Sequence, residues 1–210
     1  MTSKIDKYIQ EHTSPESSLL AELNRETYHK ILFPRMLSGH LQGKILEMVS
    51  RMIKPRNILE IGTYTGYSAI CMAQGLTEGG KLHTIEINEE LENFIKHYIK
   101  KSGLEDKIEL HFGDAQEIIP KMNIEFDLVF IDGDKRQYFD YYNLVYEKTR
   151  AGGFILADNV LWSGKVIKPV EPNDDYTSGI LRFNEFVNQD PRVDNVILPI
   201  RDGIMVLRKK

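Results

Sequence analysis

One cysteine in 210 residues, Cys71, leaves no internal disulfide and no multi-cysteine zinc cluster within a single chain. Set in Ser68-Ala69-Ile70-Cys71-Met72-Ala73, it is expected to be a small buried apolar residue on a helix. Long apolar runs are also missing: the longest are a few residues, such as Leu128-Val129-Phe130-Ile131, against the roughly 20 that a membrane-spanning helix needs. The N-terminal stretch MTSKIDKYIQEH has no apolar signal core, so a cytoplasmic location with no membrane partner is expected. A surplus of positive charge is absent as well. With 27 Lys and Arg against 31 Asp and Glu, the formal net charge of −4 gives no general pull toward nucleic acid. Repeats, low-complexity tracts and Pro/Gly linkers do not occur, and the length suits one domain over 1–210 with a helical extension over 1–35.

What the chain does have is a regular alternation of two periods. Short β-rich runs predict strands at 57–61, 82–87, 108–112, 126–131 and 154–157, with helices between them at 67–77, 89–102, 115–121 and 136–149. Strand, helix, strand, repeated, means parallel βαβ units with helices on both faces of the sheet. A further helix from Gly179 to Gln189 precedes strands at 194–200 and 203–208, joined through Arg201-Asp202-Gly203, a tight-turn signal. The expected fold is therefore α/β: a seven-stranded, mostly parallel sheet with an antiparallel C-terminal pair, preceded by helices near 15–30 and 40–53. In such open sheets ligands sit beyond the C-terminal ends of the strands.

Those strand ends carry the chemistry. LEIGTYTGYS at 59–68 closes the first strand with Gly62 and opens a helix at Gly66, a turn that lets backbone amides approach a ligand. Its Gly-x-x-x-Gly spacing departs from the dinucleotide fingerprint. Glu86, at the end of the second strand, is placed to accept hydrogen bonds from both hydroxyls of a ribose. Gly113-Asp114-Ala115-Gln116 ends the third, suited to an adenine edge and equally to a helix N-cap. Strands four and five end in Asp132 and in Asp158-Asn159. Neighbouring tips would bring two carboxylates and an amide oxygen together, and like charges that close call for a hard cation such as Mg²⁺. Trp162 and Tyr138 are placed either to wall an acceptor or to sit in the core.

LEIGTYTGYS, TIEIN, GDAQE, FDLVFIDGDK with Tyr138 and Tyr141-Tyr142, and AGGFILADNVLWSG together resemble the metal-dependent O-methyltransferases of the caffeoyl-CoA and catechol type, from about Met36 to the C-terminus. The resemblance implies a Rossmann-like class I methyltransferase fold, S-adenosyl-L-methionine as donor, and Mg²⁺, with Mn²⁺ or Ca²⁺ as alternatives. It implies Asp132, Asp158 and Asn159 as metal ligands, with Lys135 as general base beside Asp132, which also borders the donor. It further implies Glu60, Gly62, Tyr64 and Ser68 on the methionine side, Glu86 on the ribose, Ala115 and Gln116 on the adenine, and Met36 and Ser38 in a segment folded over the donor. Gly133 stands where many relatives have Ala.

Bidentate binding to a metal favours an acceptor with two adjacent oxygens, and two kinds fit: a catechol-like small molecule and, as the alternative, 5-hydroxyuridine in tRNA. Glu171-Pro172-Asn173-Asp174-Asp175 argues for the small acceptor, whereas Arg25, His29, Lys30, Arg35, Lys165 and Lys168 could hold a phosphate backbone. A module that binds the donor without chemistry would need neither the metal set nor Lys135. Leu19, Leu20, Leu23, Tyr28, Ile31, Leu32 and Phe33 offer apolar surface for a homodimer, which the resemblance also implies.

Overall fold

The computed structural model describes residues 4–210, so the first three residues of the expected helical extension lie outside the described part. Three helices lead, α1 (Lys4–Glu11), α2 (Ser18–Lys30) and α3 (Gly39–Ile53). Then follow β1 (Asn57–Ile61), α4 (Tyr67–Ala73), β2 (Lys81–Glu86), α5 (Glu92–Lys101), β3 (Ile108–Phe112), α6 (Ala115–Ile118), β4 (Phe126–Ile131), α7 (Tyr138–Lys148) and β5 (Thr149–Asp158). The chain closes with α8 (Asp175–Gln189), β6 (Val193–Leu198) and β7 (Ile204–Lys209). One seven-stranded sheet runs in the order β3-β2-β1-β4-β5-β7-β6. Neighbours among β1 to β5 pair in parallel, and β7 is antiparallel to both β5 and β6. The final pair is thus part of the sheet: β7 inserts between β5 and β6.

The central strands are predominantly apolar because both faces are covered. Leu59, Ile61, Val129, Ile131, Ile155 and Ala157 turn to one face, against Tyr142 and Val145 of α7 and Ile180, Phe183 and Val187 of α8. Ile58, Leu128, Phe130 and Leu156 turn to the other, against Leu46 of α3, Ile70 of α4 and Ile95 of α5. Burying each such side chain is worth about 1.5–3 kcal/mol, which holds the central strands between the two helical layers.

Short acidic side chains start the helices that leave the sheet. Asp114 accepts from the Gln116 N–H at 2.8 Å, Asp134 from Arg136 at 3.0 Å and Asp174 from Thr177 at 3.1 Å. The strand order reverses at β1 and β4, which opens a crevice beyond their C-terminal ends. Gly62 closes this crevice at its base. With φ at +97°, its hypothetical Cβ would lie 2.3 Å from the Asp132 carbonyl oxygen, so only glycine lets the two strand tips meet.

Candidate active site

A cleft of about 1140 Å³ lies over the C-terminal ends of β1, β2, β3, β4 and β5. At one end stand Glu86, Gly113, Asp114 and Ala115, in the middle Gly62, Tyr64, Asp132 and Lys135, and at the other end Asp158, Asn159, Trp162 and Tyr176. Phe33 and Met36 of the segment between α2 and α3 contribute a further wall. Backbone strain is concentrated here: of the eight non-glycine residues with positive φ among the described residues, Phe33, Tyr64, Asn159, Trp162 and Arg201 all line the cleft. Left-handed backbone is costly for such side chains and persists where surrounding structure enforces it, as at functional sites.

Glu86 is 7 % exposed and accepts the Tyr64 N–H at 2.6 Å on one carboxylate oxygen and the Asn88 N–H at 2.9 Å on the other. Burial pushes its carboxyl up, against these backbone donors. A carboxylate has about four acceptor positions, so its backbone donors leave room for a hydroxyl from the cleft.

At the tips of β4 and β5, Lys135 Nζ donates to Asp132 Oδ1 and to the Tyr138 hydroxyl, each at 2.7 Å. Tyr138 hands its own proton toward the Asp158 carbonyl at 3.0 Å or the Ile131 carbonyl at 3.2 Å. Asp158 accepts from Gln42 Nε2 at 2.6 Å and from the Asn159 N–H at 2.8 Å. Burial first, and then the like charge of Asp132, push the Asp158 carboxyl up. The site therefore holds two acids that repel each other, one amide side chain and one buried ammonium, all beside a ligand-sized cleft.

The sequence pattern of the O-methyltransferase family matches residues 10–210. The chain belongs to that family. This O-methyltransferase is 32% identical over 205 residues to a caffeoyl-CoA O-methyltransferase of Stellaria longipes, covering 92% of this chain and 84% of the relative. Its identity to caffeoyl-CoA O-methyltransferase 2 of Populus trichocarpa is 34% over 205 residues, covering 92% and 83%. Among solved structures, the O-methyltransferase from Bacillus cereus in complex with SAH superposes with a TM-score of 0.91 at 32% identity, covering 100% of this chain and 98% of that one. TomG from Streptomyces achromogenes, involved in tomaymycin synthesis and solved with SAM, gives 0.91 at 27%, covering 100% and 97%.

The O-methyltransferase cleft brings together Met36, Gly62, Tyr64, Glu86, Ala115, Asp132, Lys135, Asp158, Asn159 and Trp162. Five other expected contacts do not line it. Tyr138 corrects the reading of an acceptor wall: it is fully buried, edge-on to Phe183 at 5.6 Å, and serves the cleft by holding Lys135. Glu60 is also fully buried, because strand alternation sends Leu59 and Ile61 to one face and Glu60 to the other, where Oε2 accepts from Thr84 at 2.5 Å. Ser68 is buried and hydrogen-bonds to Glu60. Ser38 is buried and its carbonyl accepts from Arg201, while Gln116 uses its N–H on the Asp114 cap.

Sequence reading missed the residues that tie these parts together. Gln42, fully buried in α3, bridges Asp158 to Arg201, whose Nη1 donates to Gln42 Oε1 at 3.1 Å and to the Leu37 carbonyl at 3.3 Å. The partners lie 116 and 159 residues apart, beyond any local pattern. Tyr176, stacked on Trp162 at 6.2 Å and under the Arg136 guanidinium at 4.9 Å, was also missed.

Burial pushes the Glu60 carboxyl up to about 8, against the hydrogen bonds from Ser68 and Thr84. A raised acid binds its proton more tightly when folded, so this contribution is present below the unfolded value near 4.5 and is lost as pH rises to about 8. Glu60→Gln should remove a stability slope of several kcal/mol across that window, leaving melting temperatures flatter between those limits. Parallel melting curves for variant and wild type at every pH would show that Glu60 ionises freely.

Proposed function

We propose that this O-methyltransferase moves the methyl group of S-adenosyl-L-methionine to one of two vicinal oxygens on a catechol-like small molecule, with a divalent cation at Asp132, Asp158 and Asn159. The observation that carries the reading is the pairing of those oxygen ligands with Lys135 in one cleft that also presents Glu86. The donor set fits the ion: two carboxylates, one of them pushed up by burial and by the other's charge, are what a bound cation would relieve. All-oxygen ligands select Mg²⁺, Mn²⁺ or Ca²⁺ over thiophilic metals.

When bound, such an ion acts as Lewis acid and template, acidifying a coordinated hydroxyl and fixing its direction. The donor carries its methyl on a sulfonium and is already electrophilic. The chain's own work is placement and proton handling. Glu86 and the Gly113–Ala115 turn hold the nucleoside end, and Gly62 and Tyr64 shape the floor beneath the methionine end. Trp162 with Tyr176 flanks an aromatic acceptor, and Lys135 Nζ, kept in place by Asp132 and Tyr138, takes the hydroxyl's proton. Holding both reactants in near-attack geometry supplies up to about 7–11 kcal/mol in the best intramolecular cases.

The relatives named above are caffeoyl-CoA O-methyltransferases, and two of the six basic residues expected to hold a tRNA backbone are engaged in ion pairs, Lys165 with Asp174 at 2.8 Å and Lys30 with Glu26 at 2.5 Å. A small acceptor follows. Purified enzyme with labelled donor and Mg²⁺ should methylate ortho-dihydroxy aromatics and leave matching monophenols at least ~10²-fold slower, since only the former chelate. Labelling of undermodified tRNA with far higher kcat/KM than any catechol would replace the acceptor class.

Glu86→Ala should weaken donor affinity by about 1.5–3 kcal/mol, roughly 10–150-fold, through loss of charge-assisted hydrogen bonds to ribose. Calorimetry reads this directly; unchanged affinity would remove Glu86 from the donor site. We also propose a homodimer. Leu23 is fully buried in its own chain and Leu19 and Leu20 pack against the same core, but Tyr28, Leu32 and Phe33 are 58%, 80% and 72% exposed. Light scattering that gives a monomer mass at all concentrations would reject it.

A further inference from the structure

A second group of metal-type ligands lies outside the cleft, at the β3 edge of the sheet. His83 of β2 stands opposite Glu109 of β3, and His111 follows two residues on, so all three project from one face. His83 Nδ1 is 3.2 Å from His111 Nε2 and 3.7 Å from Glu109 Oε2, and His111 Nε2 is 3.8 Å from Glu109 Oε1. A tetrahedral ion with nitrogen and oxygen ligands at about 2.0–2.2 Å needs them about 3.3–3.6 Å apart. The three groups are therefore nearly at coordinating separation.

We propose that His83, Glu109 and His111 form a metal site for a borderline divalent cation of the Zn²⁺ kind, separate from the all-oxygen set at Asp132, Asp158 and Asn159. Two imidazoles and one carboxylate suit Zn²⁺ far better than Mg²⁺, which prefers oxygen alone. A plain imidazole–imidazole hydrogen bond would account for the 3.2 Å pair but not for a carboxylate set within reach of both rings. His83 is 5 % exposed and meets the Phe126 ring edge-on at 6.1 Å, so the innermost ligand is held in place, whereas Glu109 and His111 reach solvent and leave an entry path. Lys81, on the same face of β2, is turned away to the Asp106 carbonyl at 2.5 Å. β3 is the last strand of the sheet on this side, and it leads straight into Gly113, Asp114 and Ala115 of the cleft. An ion joining β2 to β3 would brace that wall.

The test uses full-length protein stripped with chelator, dialysed, and titrated with Zn²⁺ alone by calorimetry, with Co²⁺ absorption as a second readout. His111→Ala and Glu109→Gln alter partly exposed side chains, and circular dichroism confirms their fold. The expected result is one equivalent of Zn²⁺ that survives in Asp158→Asn and weakens by at least ~10–100-fold in His111→Ala, with the visible bands of a low-coordinate Co²⁺ site lost in the same variant. Wild-type affinity in both edge variants, or no Zn²⁺ binding at all, would overturn the proposal. So would a Zn²⁺ equivalent lost in Asp158→Asn and kept in His111→Ala, which would assign it to the cleft.

Discussion

Lys135→Ala should lower kcat by roughly 10²–10⁴-fold, the range for removal of a positioned general base, with donor affinity close to wild type. Lys135 is 7 % exposed, and its ammonium is fixed by Asp132 and by the Tyr138 hydroxyl. The same geometry would serve a lysine that only balances the charge of Asp132, so the alanine variant alone does not separate the two roles. Lys135→Arg does. Arginine keeps the positive charge but does not give up its proton in proteins, so it cannot act as a base. Near-wild-type turnover in a folded Lys135→Arg enzyme would make the residue a charge partner; a loss comparable to that of alanine supports proton transfer.

Asp158→Asn should move activity and stability in opposite directions. Turnover should fall by at least ~10³-fold, because Lewis-acid assistance worth several kcal/mol depends on that carboxylate. Stability measured in chelator should be unchanged or higher, since the substitution removes a buried charge that burial and Asp132 both disfavour. The amide keeps one oxygen, for either Gln42 Nε2 or the Asn159 N–H, and turns its NH2 toward the other donor, which offsets part of that gain. Donor affinity should stay near wild type because Glu86 and Ala115 stand at the far end of the cleft. Melting curves in chelator together with single-turnover rates measure both halves. A variant that is inactive only because it melts much earlier would contradict the assignment.

The parts of the fold visible in the sequence are those where burial on both faces forces one reading. β1 and β4 fall at 57–61 and 126–131 as expected, and β3 falls at 108–112 at the sheet edge, where only Ile108 is buried and β-rich composition between turn residues carries the reading. β5 is longer than expected. The expected helix runs to 149 and the expected strand begins at 154, yet Thr149 already pairs with Phe126 across a register shift before Phe154 joins Leu128. α4 stops at Ala73 instead of running to 77, and just beyond it Gly75 packs so closely on α3 that a Cβ would sit 2.3 Å from the Ser50 carbonyl carbon. α1 falls within the helical extension expected over 1–35 but outside the helix placed near 15–30, having no buried residue to mark a face. In the site, residues at strand tips were legible because the topology alone brings them together. The depth of a side chain was not: Tyr138 and Glu60 carry the right chemistry behind the wall, and Gln42 and Arg201 became neighbours of Asp158 only through packing of α3 against the β6–β7 connection.

Gly133 shows how narrow the tolerances are. An added Cβ there would lie 3.0 Å from Tyr141 Cε2 and 3.2 Å from Ile61 Cγ2, tighter than ordinary contact. An alanine at this position would need Tyr141 to shift, and Tyr141 lines the cleft.

The central claim, metal-assisted methyl transfer to one of two vicinal oxygens, is tested most directly by the initial rate of label transfer from S-adenosyl-L-methionine to an ortho-dihydroxy aromatic in excess chelator, and again after Mg²⁺ is restored. The rate should collapse by at least ~10³-fold in chelator and recover with Mg²⁺ or Mn²⁺, donor binding being unaffected. Full turnover in excess chelator would contradict the account.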